Sequence, residues 1–176
     1  MLSQCEQNIG AAASPLLEST FNWDDCQKES GHLYQRALDL YNATRTFRTF
    51  SAGSTLEIPR VSCDHQCDPQ SLREDPRICL LQVHQVLHWY HSAFHVTNVF
   101  SSFEALLIDG IQHSLRKLEV SLGAATKQQI EALDMPPVQS WGKKKFAHDV
   151  AQNLLSFSSL IARIFHPGNP ANHSEE

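Results

Sequence analysis

The sequence predicts an all-α fold, a four-helix bundle of up-up-down-down connectivity. Three observations carry this expectation. Four segments repeat apolar residues at three- and four-residue intervals, and the connections between them run long, short, long. A chain of 176 residues with 41% apolar content can bury one core and has no spare length for a second domain.

The first helix is predicted at about residues 24 to 47. Leu33, Ala37, Leu40, Thr44 and Phe47 fall at i, i+4, i+7, i+11 and i+14, which is one buried stripe. Asp24 and Asp25 suit the positive end of its dipole. The second helix has the clearest start. Asp75 can cap free N–H groups, Pro76 at the first helical position wastes no donor, and Leu80, Val83, Leu87 and Phe94 form the stripe up to about residue 96. The third takes Ser101 and Glu104 as a capping box, buries Phe103, Leu107, Ile111, Leu115 and Leu118, and stops at Gly123. The fourth starts near Ser140, buries Phe146, Val150, Phe157, Leu160 and Ile164, and ends before Pro167 and Gly168.

About 27 residues separate the first helix from the second, a handful the second from the third, and roughly 16 the third from the fourth. A short link forces antiparallel neighbours, whereas a long one lets the chain recross a bundle of roughly 36 Å. Two long crossovers are the topology of growth hormones and cytokines. The expected organisation is an N-terminal segment over 1–20, one helical domain over 21–166 and a tail over 167–176.

Composition excludes several functions. A net charge of −5 and a pI near 6.0 leave no basic footprint for nucleic acid, and Lys143 to Lys145 reads as a solvated patch. No apolar stretch approaches the roughly 20 residues of a membrane span, so no membrane insertion is expected. MLSQCEQNIGAAASPLLEST lacks Lys and Arg, and Ser14 and Pro15 interrupt its apolar centre, so it reads as a weak or absent secretory signal. Asn42 (NAT) and Asn172 (NHS) are candidate N-glycosylation sites. Helical phase sets Asn42 opposite the first buried stripe.

The stretch VSCDHQCDPQSLREDPRIC, residues 61 to 79, holds three of the five cysteines. Zinc could take Cys63, Cys67 and Cys79 with His84, yet Cys79 and His84 would have to reach the metal from consecutive turns of one helix. A bridge from Cys67 to Cys79 would tie the first crossover to the second helix and contribute on the order of 3 kcal/mol. Cys63 is then left over, for another chain, for a bridge to Cys5 or Cys26, or as a buried thiol. His84, His88, His91 and His95 form a ridge at i, i+4, i+7 and i+11 that could bind zinc or copper or titrate in mild acid. Their own helix carries no carboxylate or cysteine near enough to complete a site, so the ridge reads as a polar border of the core. A di-iron bundle needs two E-x-x-H pairs, and the chain has one, Glu29 with His32, interrupted by Gly31.

Residues 58 to 87, IPRVSCDHQCDPQSLREDPRICLLQVHQVL, resemble the alpha subunits of interleukin-23 in the spacing of all three cysteines, the CDPQ-x-LR stretch and the H-Q-x-L turn. QSW at 139–141 and ARIF at 162–165 match as well. The resemblance implies a long-chain cytokine subunit of the interleukin-6/interleukin-12 class, without enzymatic activity or cofactor. Such a subunit is secreted, is disulfide-linked to the interleukin-12 beta subunit, and signals in immunity and inflammation through the interleukin-23 receptor and the interleukin-12 receptor beta-1 chain. It further implies Cys67–Cys79 as the internal bridge, Cys63 as the interchain thiol, Arg163 as a beta-subunit contact and Trp141 as a receptor anchor.

Helical phase agrees with these roles. Arg163 lies about 100° from the core stripe, in line with Gln152, Ser156 and Ser159, on a flat face that lets another protein approach. Its guanidinium can grip a carboxylate with two hydrogen bonds. Trp141 also falls off the stripe, and the 22 residues to Arg163 span roughly 33 Å, so the two should meet different partners. Cys5 and Cys26 have no assigned partners. The competing readings are a metal-binding bundle built on the histidine ridge and a cytokine of the same fold acting as a monomer.

Overall fold

Asn22, Asp68 and Asp75 each open a helix by accepting a backbone N–H, and these caps set the frame of the molecule. The computed structural model describes residues 21–47, 57–96, 98–126, 135, 138 and 142–172. Its helices are α1 (Trp23–Thr44), α2 (Pro69–Glu74), α3 (Arg77–Val96), α4 (Ala105–Thr126) and α5 (Lys143–Phe165), and no strand occurs among the described residues.

The four long helices follow the four predicted stripes, with differences at their ends: Phe103, which precedes α4, and Leu107 were expected in the core and are only partly buried. Leu33, Ala37, Leu40 and Thr44 of α1 are buried, as are Leu80, Val83, Leu87 and Phe94 of α3. α4 begins later than the predicted capping box. The Ser101 hydroxyl donates to the Asn98 carbonyl at 2.8 Å, which closes a 3-10 turn, and the first turn of α4 instead hangs on the Glu104 carbonyl. Gly123 does not stop α4, which continues to Thr126. α5 starts at Lys143 behind Gly142, and Gly168, with φ of 74°, takes the left-handed conformation that follows its end. α2 was not predicted, because six residues cannot display a 3.6-residue period. Asp68 caps it, accepting the Ser71 N–H at 3.0 Å and the Ser71 hydroxyl at 2.6 Å.

Side-chain contacts fix the direction of each helix. Gln27 near the start of α1 donates to the His166 carbonyl just past α5 at 2.8 Å, while Thr44 at the end of α1 meets His148 near the start of α5 at 3.3 Å. α1 and α5 are therefore antiparallel. Arg36 donates to the Gly110 carbonyl at 2.9 Å and Glu29 pairs with Lys117 at 3.6 Å, so α1 also runs against α4. His84 faces Thr126 at 3.4 Å and His91 faces Glu119 at 2.8 Å, so α3 runs against α4 too. Hence α1 parallels α3, α4 parallels α5, and the bundle is up-up-down-down. Tyr90 of α3 stacks on Phe157 of α5 at 5.6 Å, which closes the fourth side of the core.

One buried carboxylate crosses the α1–α4 seam. Glu29 accepts the Ser114 hydroxyl at 2.7 Å and lies 3.6 to 3.7 Å from His32, Arg36 and Lys117. Arg36 passes close over Gly110, where an added Cβ would lie 3.1 Å from its Nε, so the absence of a side chain there makes room for the network. Burial pushes the Glu29 carboxyl up, but the Ser114 hydroxyl and the nearby cations outweigh it, and the carboxyl sits below its ordinary value. A lowered folded value means that Glu29 stabilises the fold above the ordinary carboxylate range. That contribution is lost as pH falls through the folded value. Glu29→Gln should therefore cost about 1–3 kcal/mol at neutral pH and flatten the acid limb of stability. Urea unfolding at pH 7 and pH 3 checks this, and equal losses at both pH values would reject the ionised role.

Candidate partner interface

The first crossover reaches the surface of α5 by a defined route. Ile58 is buried, Arg60 accepts a hydrogen bond from Gln82 of α3 at 2.8 Å, and the chain then makes a tight turn from Ser62 to Gln66. In that turn His65 Nδ1 accepts the Ser62 N–H at 2.8 Å. Gln66 takes the left-handed conformation, with φ 55° and ψ 45°, which a non-glycine residue adopts at some cost. Cys67 follows and is bonded to Cys79 in the first turn of α3, with 5.0 Å between the Cα atoms. That bond uses two of the sulfurs that a zinc site of Cys63, Cys67, Cys79 and His84 would need.

The remaining described cysteines behave differently from one another. Cys63, expected to be left over, is itself disulfide-bonded in the isolated chain. Cys26 is a buried thiol whose pKa is pushed up to about 12, first by burial and then by Asp25. It is an inert core residue and no candidate for a bridge.

This crossover and the last helix enclose a groove of about 470 Å³. Cys63, Cys67 and Leu72 line one wall and Leu160, Arg163 and Ile164 line the other. Arg73 and Arg163 give its rim two cations against one carboxylate, Asp68, which is occupied as the cap of α2. An acidic partner is the complementary one. A second depression of about 500 Å³ adjoins it, holding Gln152 and Ser156, and Val61 and Leu160 border both. Leu160 was expected in the core and is only partly buried, because the crossover passes it at the edge of these depressions.

The predicted face of α5 is accessible. Gln152, Ser156 and Arg163 are exposed and Ser159 is half-buried. Arg163 lies back along the helix, with Nε 3.3 Å from the Ser159 carbonyl and a terminal nitrogen 3.4 Å from its hydroxyl. These neutral contacts hold the guanidinium at the groove mouth and leave its charge unneutralised. Asn42 and Asn172 are exposed. Trp141 lies outside the described residues.

The histidine ridge divides into parts. His84 is buried against α4, with Nδ1 3.4 Å from the Thr126 hydroxyl, and burial lowers its pKa. His88 and His91 both direct Nδ1 at Glu119, one to each carboxylate oxygen. Their own helix offers no carboxylate, as expected, but the neighbouring helix does. Only the register of α3 against α4 could have located it.

A family model described as interleukin 23 subunit alpha matches residues 21–169, which includes both walls of the groove. The chain belongs to the interleukin-23 subunit alpha family. It is similar to interleukin-23 subunit alpha of Homo sapiens, with 26% identity over 83% of this chain and 82% of the relative. The corresponding proteins of Mus musculus and Rattus norvegicus are 24% and 26% identical, each over 85% of this chain and 81% of the relative. As a member of this family the chain is a cytokine subunit and not an enzyme. None of the described helices is long and apolar enough to cross a membrane.

Proposed function

We propose that the chain is the secreted alpha subunit of an interleukin-23-like heterodimer, linked covalently through Cys63 to the interleukin-12 beta subunit. The groove that carries both Cys63 and Arg163 supports this reading. The two residues are a hundred positions apart in the chain, yet they border one concave surface of positive charge. Arg163 enters an acidic pocket of the beta subunit, and Ser159, Ser156 and Gln152 form the approach beside it. Trp141 contacts the interleukin-23 receptor, and the interleukin-12 receptor beta-1 chain completes the signalling complex. Asn42 and Asn172 are exposed and can carry glycans.

Cys63 is disulfide-bonded in the isolated chain, so covalent pairing involves exchange. A thiolate of the beta subunit attacks the Cys63 sulfur, forms the interchain bond and expels the former partner sulfur as a thiolate. Co-expression with a beta subunit tests the assignment. A disulfide-linked heterodimer should appear on a non-reducing gel, and Cys63→Ser should yield the same pair without the covalent link. A link that survives in Cys63→Ser would reject the assignment. In the same preparation Trp141→Ala should keep the heterodimer and lose receptor binding at least tenfold, the size expected of an aromatic anchor. Full receptor affinity would remove Trp141 from the contact.

A further inference from the structure

We propose that His88 and His91 of α3 and Glu119 of α4 form a zinc-binding site that staples the two helices together. One ligand atom from each residue can be chosen so that all lie within 4.8 Å of one another. His91 Nδ1 is 2.8 Å from Glu119 Oε2, and His88 Nδ1 contacts Oε1. The side chains are 18%, 26% and 14% exposed, in the order His88, His91, Glu119, so the cluster is shielded yet reachable by an ion. Two imidazoles and a carboxylate are ordinary zinc ligands. Three protein ligands leave the fourth tetrahedral position for water.

The geometry needs little rearrangement. An i, i+3 pair presents both rings on one face of α3, and the antiparallel register of α4 brings Glu119 between them. In the metal-free cluster the two Nδ1 atoms share one carboxylate, His88 on Oε1 and His91 on Oε2; zinc would accept a lone pair from each and from a carboxylate oxygen. Ligation through Nδ1 moves the imidazole proton to Nε2. For His88 that nitrogen is buried and has no hydrogen-bond partner. This orphaned donor weakens the site, so the dissociation constant should be on the order of micromolar, well short of a closed four-ligand site. His84, committed to Thr126, and His95, with its ring 6.2 Å from that of His91, flank the cluster without being needed.

Titration of the untagged full chain with zinc chloride at pH 7.5, followed by calorimetry and thermal melting, tests the proposal. One zinc per chain should bind and raise the melting temperature, because the ion binds the folded cluster in preference to the unfolded chain. Glu119→Gln and His91→Gln should each weaken binding about tenfold or more. His113→Gln, on the exposed side of α4, should leave it unchanged. His91→Gln changes the more exposed of the two histidines and keeps the test informative should Glu119→Gln fail to fold. Zinc affinity that is unaltered in both variants, or no binding at 100-fold above micromolar zinc, would overturn the site and leave a histidine–carboxylate hydrogen-bond clamp.

Discussion

Arg163→Glu should weaken noncovalent pairing with the proposed beta subunit by about 100-fold or more. The estimate follows from what the guanidinium would face. In the free chain it is exposed and held to Ser159 by two long hydrogen bonds, so little is lost on leaving them. In an acidic pocket it would form a charge-assisted, two-pronged contact, and reversing its sign would set two carboxylates together in a desolvated space. Truncating one partner of such a pair costs roughly 2–5 kcal/mol, and reversal adds repulsion. Arg163→Lys should fall between the two, because it retains the charge and loses the planar fork. The measurement is equilibrium binding by surface plasmon resonance with the parent and the Arg163→Glu chain each carrying Cys63→Ser, so that no covalent link conceals the loss. Equal affinities for the parent and Arg163→Glu would reject the pocket role.

Loss of the Cys67–Cys79 bridge should lower stability by about 3 kcal/mol. The bridge closes a loop with a sequence separation of 12, and constraining the unfolded chain over such a loop contributes on the order of that value. In a domain of this size the shift in melting temperature is roughly 6–12 °C. The consequence is also local. Cys67 and Leu72 belong to the groove wall opposite Arg163, and the bridge anchors that wall to α3. The double change Cys67→Ser with Cys79→Ser is the appropriate variant, because a single change leaves a thiol able to exchange with Cys63. Thermal melting and partner binding should both decline. A melting temperature equal to that of the parent would show that packing of α2 and the following turn holds the wall without the bond.

The long helices were legible because each one buries an apolar stripe over three or more turns, and periodicity over that length leaves few alternatives. Leu33, Ala37 and Leu40 recur as the chain turns, and all three are fully buried. Helix ends were less legible. Ser101 and Glu104 have capping-box spacing, but the Ser101 hydroxyl closes a turn with Asn98 before α4 begins. Local pattern cannot separate two hydrogen-bonding choices of similar energy when packing of Val99 and Phe100 into the core decides between them. α2 is too short to show a period, and Leu160 sits on a correct stripe whose edge happens to form the rim of a groove.

The chain by itself determined the class of fold, its connectivity and the cysteine block, since hydrophobic spacing, link lengths and residue identity are all written along one dimension. It also placed Arg163 on an outward face, because helical phase needs no knowledge of neighbours. Only the tertiary structure decided that Cys63 and Arg163 share a groove and that Glu119 lies between His88 and His91. Those juxtapositions depend on how far one helix slides along another. That register is set by the fit of side chains across the whole core, and no local stretch of sequence encodes it.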